Sequence, residues 1–324
     1  MTKENGPVAL DAVKKIAVVG GGTMGHGCAQ VFAAAGYEVM LQSRKETTLA
    51  KAFEAMRADL SFLAERGVGD RKEVERIVAR VKPTQNMEEA VTGADFVLEC
   101  VYEDMALKQE LFQKIDQMVG PQAVLATNTS VMSITEIASK AAGRHRIVGT
   151  HWWNPPYLIP LVEVVRTEET DDRVIDLTMG LMRKIGKHPV FVKKDVPGFV
   201  ANRLQHALWR EAISIVERGI ADAATVDEGI KYGFGMRLPV LAPLETADMG
   251  GLDLTLAIHS YVLKFLEDSH EPSPLLREKV AKGELGFKTG GTGFQAWTPE
   301  QMKATRERLL DYLARVAAPA AEGK

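Results

Sequence analysis

Ile16-Ala17-Val18-Val19-Gly20-Gly21-Gly22-Thr23-Met24-Gly25 is the stretch that decides the fold. A short apolar strand pattern runs directly into a GxGxxG turn (Gly20, Gly22, Gly25), and helical periodicity continues from Thr23 to about Ala35. The first glycine permits the tight turn, the second lets backbone approach a pyrophosphate, and the third allows close helix–strand packing. The helix N-terminus then offers unpaired amides and its positive end to the phosphates. A glycine turn alone is weak evidence. Between a strand and a helix, at the head of a βαβ unit, it predicts a dinucleotide cleft that uses Gly20, Gly22, Thr23, Met24 and Gly25.

Working outward, short apolar runs alternate with helical patterns through the first ~190 residues, the signature of a doubly wound sheet. Further strands are expected at Val39–Leu41, Phe96–Cys100, Val124–Thr127, Ile147–His151, Val162–Val165 and Val190–Val192. Helices are expected at about Ala106–Val119, Ile134–Ala142 and Asp172–Ile185. The charged amphipathic stretch Glu46–Arg66, a Gly67–Gly69 turn and a second helix to about Ala79 suggest an inserted helical hairpin of two long arms. Beyond Lys193 only helical periodicity remains, with Pro197 fitting a helix N1 position ahead of Phe199–Arg218. The expected architecture is α/β: a Rossmann-type doubly wound sheet over residues 1–192 with the inserted hairpin, then an all-α C-terminal domain over 193–324. An Ala/Pro/Glu tail follows Val316.

Length agrees with two domains, since single cores stop growing near ~250–300 residues. At 46% hydrophobic and 26% charged, with a net charge of -3, the 324-residue chain gives no reason to expect nucleic acid or membrane as a partner. Cys28 and Cys100 form no CxxC pair, which argues against a disulfide framework or a structural metal and favours a reducing, cytoplasmic setting. Met1–Lys15 has no apolar signal-like core, and no apolar run is long enough to span a bilayer.

Two further segments carry chemistry. At the end of the second strand an NAD-preferring site would place Asp or Glu against the ribose 2′-hydroxyl. The chain instead reads Leu41-Gln42-Ser43-Arg44-Lys45, and Ser43 with Arg44 would accept a 2′-phosphate. The cofactor expectation is therefore NAD(P), leaning to NADP. Thr150-His151-Trp152-Trp153-Asn154-Pro155-Pro156, followed by Pro160-Leu161-Val162-Glu163, sets His151 at the carboxyl edge of a strand, where open α/β sheets put their ligands. An imidazole can take the proton of an alcohol while hydride leaves the same carbon, and Glu163 on the next strand is the natural partner to fix its tautomer.

These segments resemble the 3-hydroxyacyl-CoA dehydrogenase superfamily along essentially the whole chain. The family's H-(aromatic)-x-N-P…V-E signature matches His151 through Glu163, its N-T-S matches Asn128-Thr129-Ser130, and its D-x-P-G-F-(V/I)-x-N-R matches Asp195 to Arg203. The resemblance implies His151 and Glu163 as the catalytic pair, with Ser130 and Asn202 on the reacting oxygen or substrate. It also implies Glu103 and Lys108 at the nicotinamide end, Lys288 of Lys288-Thr289-Gly290 reaching the cofactor, and a homodimer through the C-terminal domain.

Within the superfamily, Asn154-Pro155-Pro156-Tyr157-Leu158-Ile159-Pro160 and Gly235-Met236-Arg237…Ala242-Pro243-Leu244-Glu245 are similar to the lambda-crystallin/L-gulonate 3-dehydrogenase and pyridine-carboxylate dehydrogenase branch. The hairpin run Ala58–Arg66 is poor in the cations that a CoA 3′-phosphate favours. The implied reaction interconverts a 3-hydroxy and a 3-oxo group on a small carboxylic acid. Arg237 is a candidate carboxylate clamp and Trp152 a candidate aromatic wall. An L-3-hydroxyacyl-CoA substrate is the alternative, and a non-catalytic crystallin-like role is an alternative of another class.

Overall fold

The computed structural model describes residues 6–318; Met1–Asn5 and the end of the Ala/Pro/Glu tail lie outside it. The chain forms two compact units, one built from residues through Asn202 together with the chain from Leu309 onward, the other from Arg203–Arg308.

The first unit is an eight-stranded sheet: β1 Lys15–Val19, β2 Glu38–Gln42, β3 Val81–Thr84, β4 Phe96–Glu99, β5 Val124–Thr127, β6 Ile147–Trp152, β7 Leu161–Val165 and β8 His188–Val192. The order is β3-β2-β1-β4-β5-β6-β7-β8, so the winding reverses between β1 and β4, beside the glycine turn. All neighbours are parallel except β6 and β7. Only Trp153–Pro160 joins that pair. Eight residues are too few for a parallel crossover, which needs a dozen or more, so β7 must return antiparallel. The resulting register sets His151 directly opposite Glu163.

Helices α1 Thr23–Ala34, α2 Glu46–Glu65, α3 Val74–Val78, α4 Met87–Val91, α5 Met105–Met118, α6 Ile134–Ala138 and α7 Asp172–Lys184 cover both faces of the sheet. Alternation along β1 builds a core on each side: Ile16 and Val18 pack with Phe32, Leu41 and Leu181, while Ala17 and Val19 pack with Val97, Phe112 and Ile137. Along α2, Leu49, Ala52, Met56, Leu60 and Leu63 recur at three- and four-residue spacing and form its buried stripe.

Three sequence expectations change. The second arm of the hairpin is not a long helix: a 3-10 turn at Arg71–Glu73 leads into the five-residue α3. The chain then enters β3, a strand whose apolar signal is broken by Pro83. It pairs only with β2, and the free edge tolerates a residue that cannot donate to a ladder. Nor does Pro197 start a helix. Phe199 adopts a positive φ of 50° and α8 begins at Ala201, continuing to Glu217.

The second unit holds the rest of α8, α9 Ala223–Tyr232, α10 Pro243–Gly250, α11 Leu252–Val262, α12 Pro274–Ala281 and the first half of α13 Pro299–Ala317. The last turns of α13 belong to the first unit. There Leu310, Leu313 and Ala314 pack with Leu63 and Leu158, and Arg66 pairs with Asp311 at 2.6 Å. Among the described residues no helix is long and apolar enough to cross a membrane, and no cluster of three His, Cys, Asp or Glu side chains is placed to hold a metal.

Candidate active site

The glycine turn opens on a cleft of about 530 Å³ lined by Gly20, Gly22, Thr23, Met24, Ser43 and Arg44, among others. Gly20 has φ +110°, and a Cβ there would meet the Cys100 carbonyl oxygen at 2.5 Å. At Gly25 a Cβ would lie 1.7 Å from the Gly20 oxygen, so this glycine serves helix–turn packing and does not line the cleft. Gly22 precedes α1 with no side-chain cap, which leaves the first-turn amides for a ligand. This cradle fits a dinucleotide pyrophosphate. Ser43 and the exposed Arg44 stand at the same cleft, and Arg44 makes no ion pair among the described residues.

His151 is buried on β6, its Nδ1 2.7 Å from Glu163 Oε2. The other carboxylate oxygen of Glu163 accepts the Val200 and Ala201 amides at 2.9 and 3.0 Å, at the N-terminus of α8. This explains why the helix begins there and not at Pro197. Burial pushes the Glu163 carboxyl up, but the hydrogen bonds from His151 and the two amides outweigh it and hold the group below the usual range. With Nδ1–H donating to Glu163, the Nε2 lone pair of His151 is left for a substrate proton. The rings of Trp153 and Phe199 pack on the imidazole at 5.2 and 5.7 Å.

Asn202, one residue past the Glu163-bound amides, donates from Nδ2 to the Ser130 carbonyl at 2.8 Å. Its amide nitrogen thus holds the Ser130 peptide. Glu103 accepts from the Ser130 amide and from Thr129 Oγ1, securing the same turn from the other side. The Val200–Asn202 backbone therefore links the His151–Glu163 pair to the Ser130 turn that Glu103 holds.

Besides Gly25, two expected residues are placed otherwise. Lys108 does not line the cleft: it is 1% exposed, its Nζ 2.7 and 2.9 Å from the Glu99 oxygens and 3.3 Å from Glu103. Glu99, which sequence reasoning missed, also accepts from Thr127 Oγ1 and the Val101 amide, so the pair pins together the ends of β4 and β5. A carboxylate closing the apolar run Phe96-Val97-Leu98 was its only signal. Trp152 is not an aromatic wall but a core residue, 2% exposed and packed on Phe32. Successive residues of a strand face opposite sides, so the ring beside His151 is that of Trp153, two positions on. Lys288, in a 3-10 turn at Phe287–Thr289, and the exposed Arg237 belong to the second unit.

Residues 15–196 match the family profile described as 3-hydroxyacyl-CoA dehydrogenase, NAD binding domain, and residues 198–296 match that of the 3-hydroxyacyl-CoA dehydrogenase C-terminal domain. The chain is similar to 5-formyl-3-hydroxy-2-methylpyridine 4-carboxylate 5-dehydrogenase of Mesorhizobium japonicum, 35% identical over 90% of this chain and 93% of that protein. It is also similar to a probable 3-hydroxybutyryl-CoA dehydrogenase of Bacillus subtilis, 38% identical over 86% and 96%. A solved structure of the pyridine-carboxylate enzyme, described as an NAD+-dependent dismutase, superposes with a TM-score of 0.86 at 34% identity, covering 94% of this chain and 97% of that one. The (S)-3-hydroxybutyryl-CoA dehydrogenase of Ralstonia eutropha superposes at 0.74 with 32% identity, over 89% and 100%. With both halves matched in order, the chain belongs to the 3-hydroxyacyl-CoA dehydrogenase family, NAD-dependent oxidoreductases that act on CH–OH groups.

Proposed function

We propose that this enzyme interconverts a hydroxyl and a carbonyl group on a small carboxylic acid, with His151 as the acid/base. The buried 2.7 Å contact between His151 and Glu163 carries this reading. A nicotinamide bound at the glycine-rich cleft supplies the hydride acceptor or donor. His151 Nε2 takes the hydroxyl proton during oxidation and returns it during reduction, and Glu163 stabilises the imidazolium. Asn202 and Glu103 hold the Ser130 turn, and Ser130 donates to the reacting oxygen. The family resemblance supports Lys288 as a further cofactor residue and Arg237 as a clamp for a substrate carboxylate.

A free acid, in preference to a CoA thioester, is supported by the pyridine-carboxylate relative and by the cation-poor run Ala58–Arg66 on α2. The thioester reading is supported by the 3-hydroxybutyryl-CoA relatives, which lie at comparable identity, 38% and 32% against 35% and 34%. Ser43 and Arg44 support use of NADP beside NAD. We further propose a cytoplasmic homodimer. Exposed Leu204 and Trp209 on α8, with Leu252 and Leu256 on α11, support association through the C-terminal domain.

The test is a panel of small 3-hydroxy acids, aromatic formyl carboxylates and the matching CoA esters, each assayed with both nicotinamide cofactors. The reading expects higher kcat/KM on free acids. Turnover of CoA esters alone would overturn the substrate assignment and leave the chemistry standing.

A further inference from the structure

Asp59 lies on α2, in the middle of the hairpin, and connects two segments that the chemistry must coordinate. Its Oδ1 accepts the Tyr157 hydroxyl at 2.8 Å. Tyr157 sits in the Trp153–Pro160 loop that leaves the His151 strand. The other oxygen, Oδ2, is buried and has no aligned hydrogen bond; His26 Nε2 lies 3.3 Å from it. His26 is in the first turns of α1, and its Nδ1 donates to the Gly22 carbonyl at 3.0 Å. Gly22 lines the dinucleotide cleft; His26, Asp59 and Tyr157 do not.

Both ring nitrogens of His26 face acceptors, one a carbonyl and the other a carboxylate. Burial, and then the Asp59 charge, push the Tyr157 phenol up, which keeps it a donor. The loop also lies flush on α1. A Cβ on Gly27 would fall 2.4 Å from Pro156 Cγ, and Lys187 Nζ donates to the Pro156 and Ile159 carbonyls. A shift at the glycine turn therefore has a short, contiguous route into this loop, through Gly22, His26, Asp59 and Tyr157.

We propose that Asp59 is a positioning residue that couples occupancy of the dinucleotide cleft to the placement of the loop leaving the catalytic strand. One oxygen reads the cofactor turn through His26 and the other holds the loop through Tyr157. A dinucleotide that fixes Gly22 also fixes the loop from which Trp153 packs on His151. The inference rests on the reading of the cleft as a dinucleotide site and deepens it, because it makes cofactor loading a condition for an ordered site.

Coupling is reciprocal, so breaking the loop end must weaken binding at the cleft end. The experiment measures NADH and NADPH affinity by fluorescence titration, and hydrogen exchange of residues 154–160 with and without dinucleotide, on the full chain. Tyr157→Phe keeps the ring and removes only the hydroxyl. The expected result is a dinucleotide Kd raised about fivefold or more, at the lower end of coupled sites, together with loss of the dinucleotide-induced protection of 154–160. Asp59→Ala should do at least as much, and the double variant no more than Asp59→Ala alone. Asp59→Asn, which still accepts from Tyr157, should restore the loop protection. A hydrogen bond with only a local structural role would leave dinucleotide affinity where it is. Wild-type affinity and wild-type protection in Tyr157→Phe would overturn the coupling. If neither dinucleotide binds the wild-type chain, the reading of the cleft fails and the coupling fails with it.

Discussion

His151 and Glu163 face each other across the antiparallel β6–β7 pair, Nδ1 to Oε2 at 2.7 Å, and the same carboxylate accepts the first amides of α8 through its other oxygen. One buried charge thus orients the imidazole and anchors the helix that brings Asn202 to Ser130. Glu163→Gln separates the two tasks. The Gln oxygen can still accept the Val200 and Ala201 amides, while its NH₂ turned toward Nδ1 favours the wrong tautomer. Turnover should fall by about 10²-fold or more with dinucleotide affinity retained, as steady-state kinetics and fluorescence titration will show.

Glu163 also predicts an acid limit. Its carboxyl is held below its ordinary value of 4.5 when folded. In Asp116, too, burial raises the carboxyl but is outweighed by the Gly143 and Ala142 amides and by Arg146. As pH falls, the unfolded chain therefore takes up protons first. The stabilisation from these groups is complete above about pH 5 and is lost progressively below about 4.5. Thermal midpoints from pH 3 to 6 should fall in that window, less steeply in Glu163→Gln. A midpoint unchanged down to pH 3 would contradict the linkage.

Lys108→Met should destabilise the fold by about 3–5 kcal/mol, because it leaves the buried Glu99 carboxylate without its cation. Adding Glu99→Gln should recover part of the loss. Chemical denaturation of the two variants checks this. A Lys108 that merely touched cofactor would cost affinity and spare stability.

The positions that were legible in the sequence are those where one residue type answers one backbone or chemical demand. Gly20 must turn, Gly25 must let α1 approach, and His151 needs Glu163 at the register that an eight-residue connection imposes. Other features depend on tertiary context. Nothing local marks Val81–Thr84 as a strand, since Pro83 is acceptable only because β3 is an edge. Pro197 looks like a helix start until the Glu163 carboxylate, 34 positions earlier in the chain, takes the amides of Val200 and Ala201. The resemblance puts Lys108 at the nicotinamide end, but Glu99 lies against it and takes its charge. Strand alternation, applied strictly from His151, would have selected Trp153 over Trp152.

Arg44 bears on cofactor choice. Arg44→Ala should lower kcat/KM with NADPH by about tenfold, the worth of one charge-assisted hydrogen bond, and leave NADH within about twofold. Equal losses with both cofactors would show that Arg44 does not read the 2′-phosphate.

The most direct test of the central claim is the turnover of His151→Ala on whichever compound of the panel the wild-type enzyme converts best, with dinucleotide affinity measured alongside. kcat should fall by about 10²–10⁴-fold with dinucleotide affinity retained. A variant that turns over at close to the wild-type rate would contradict it.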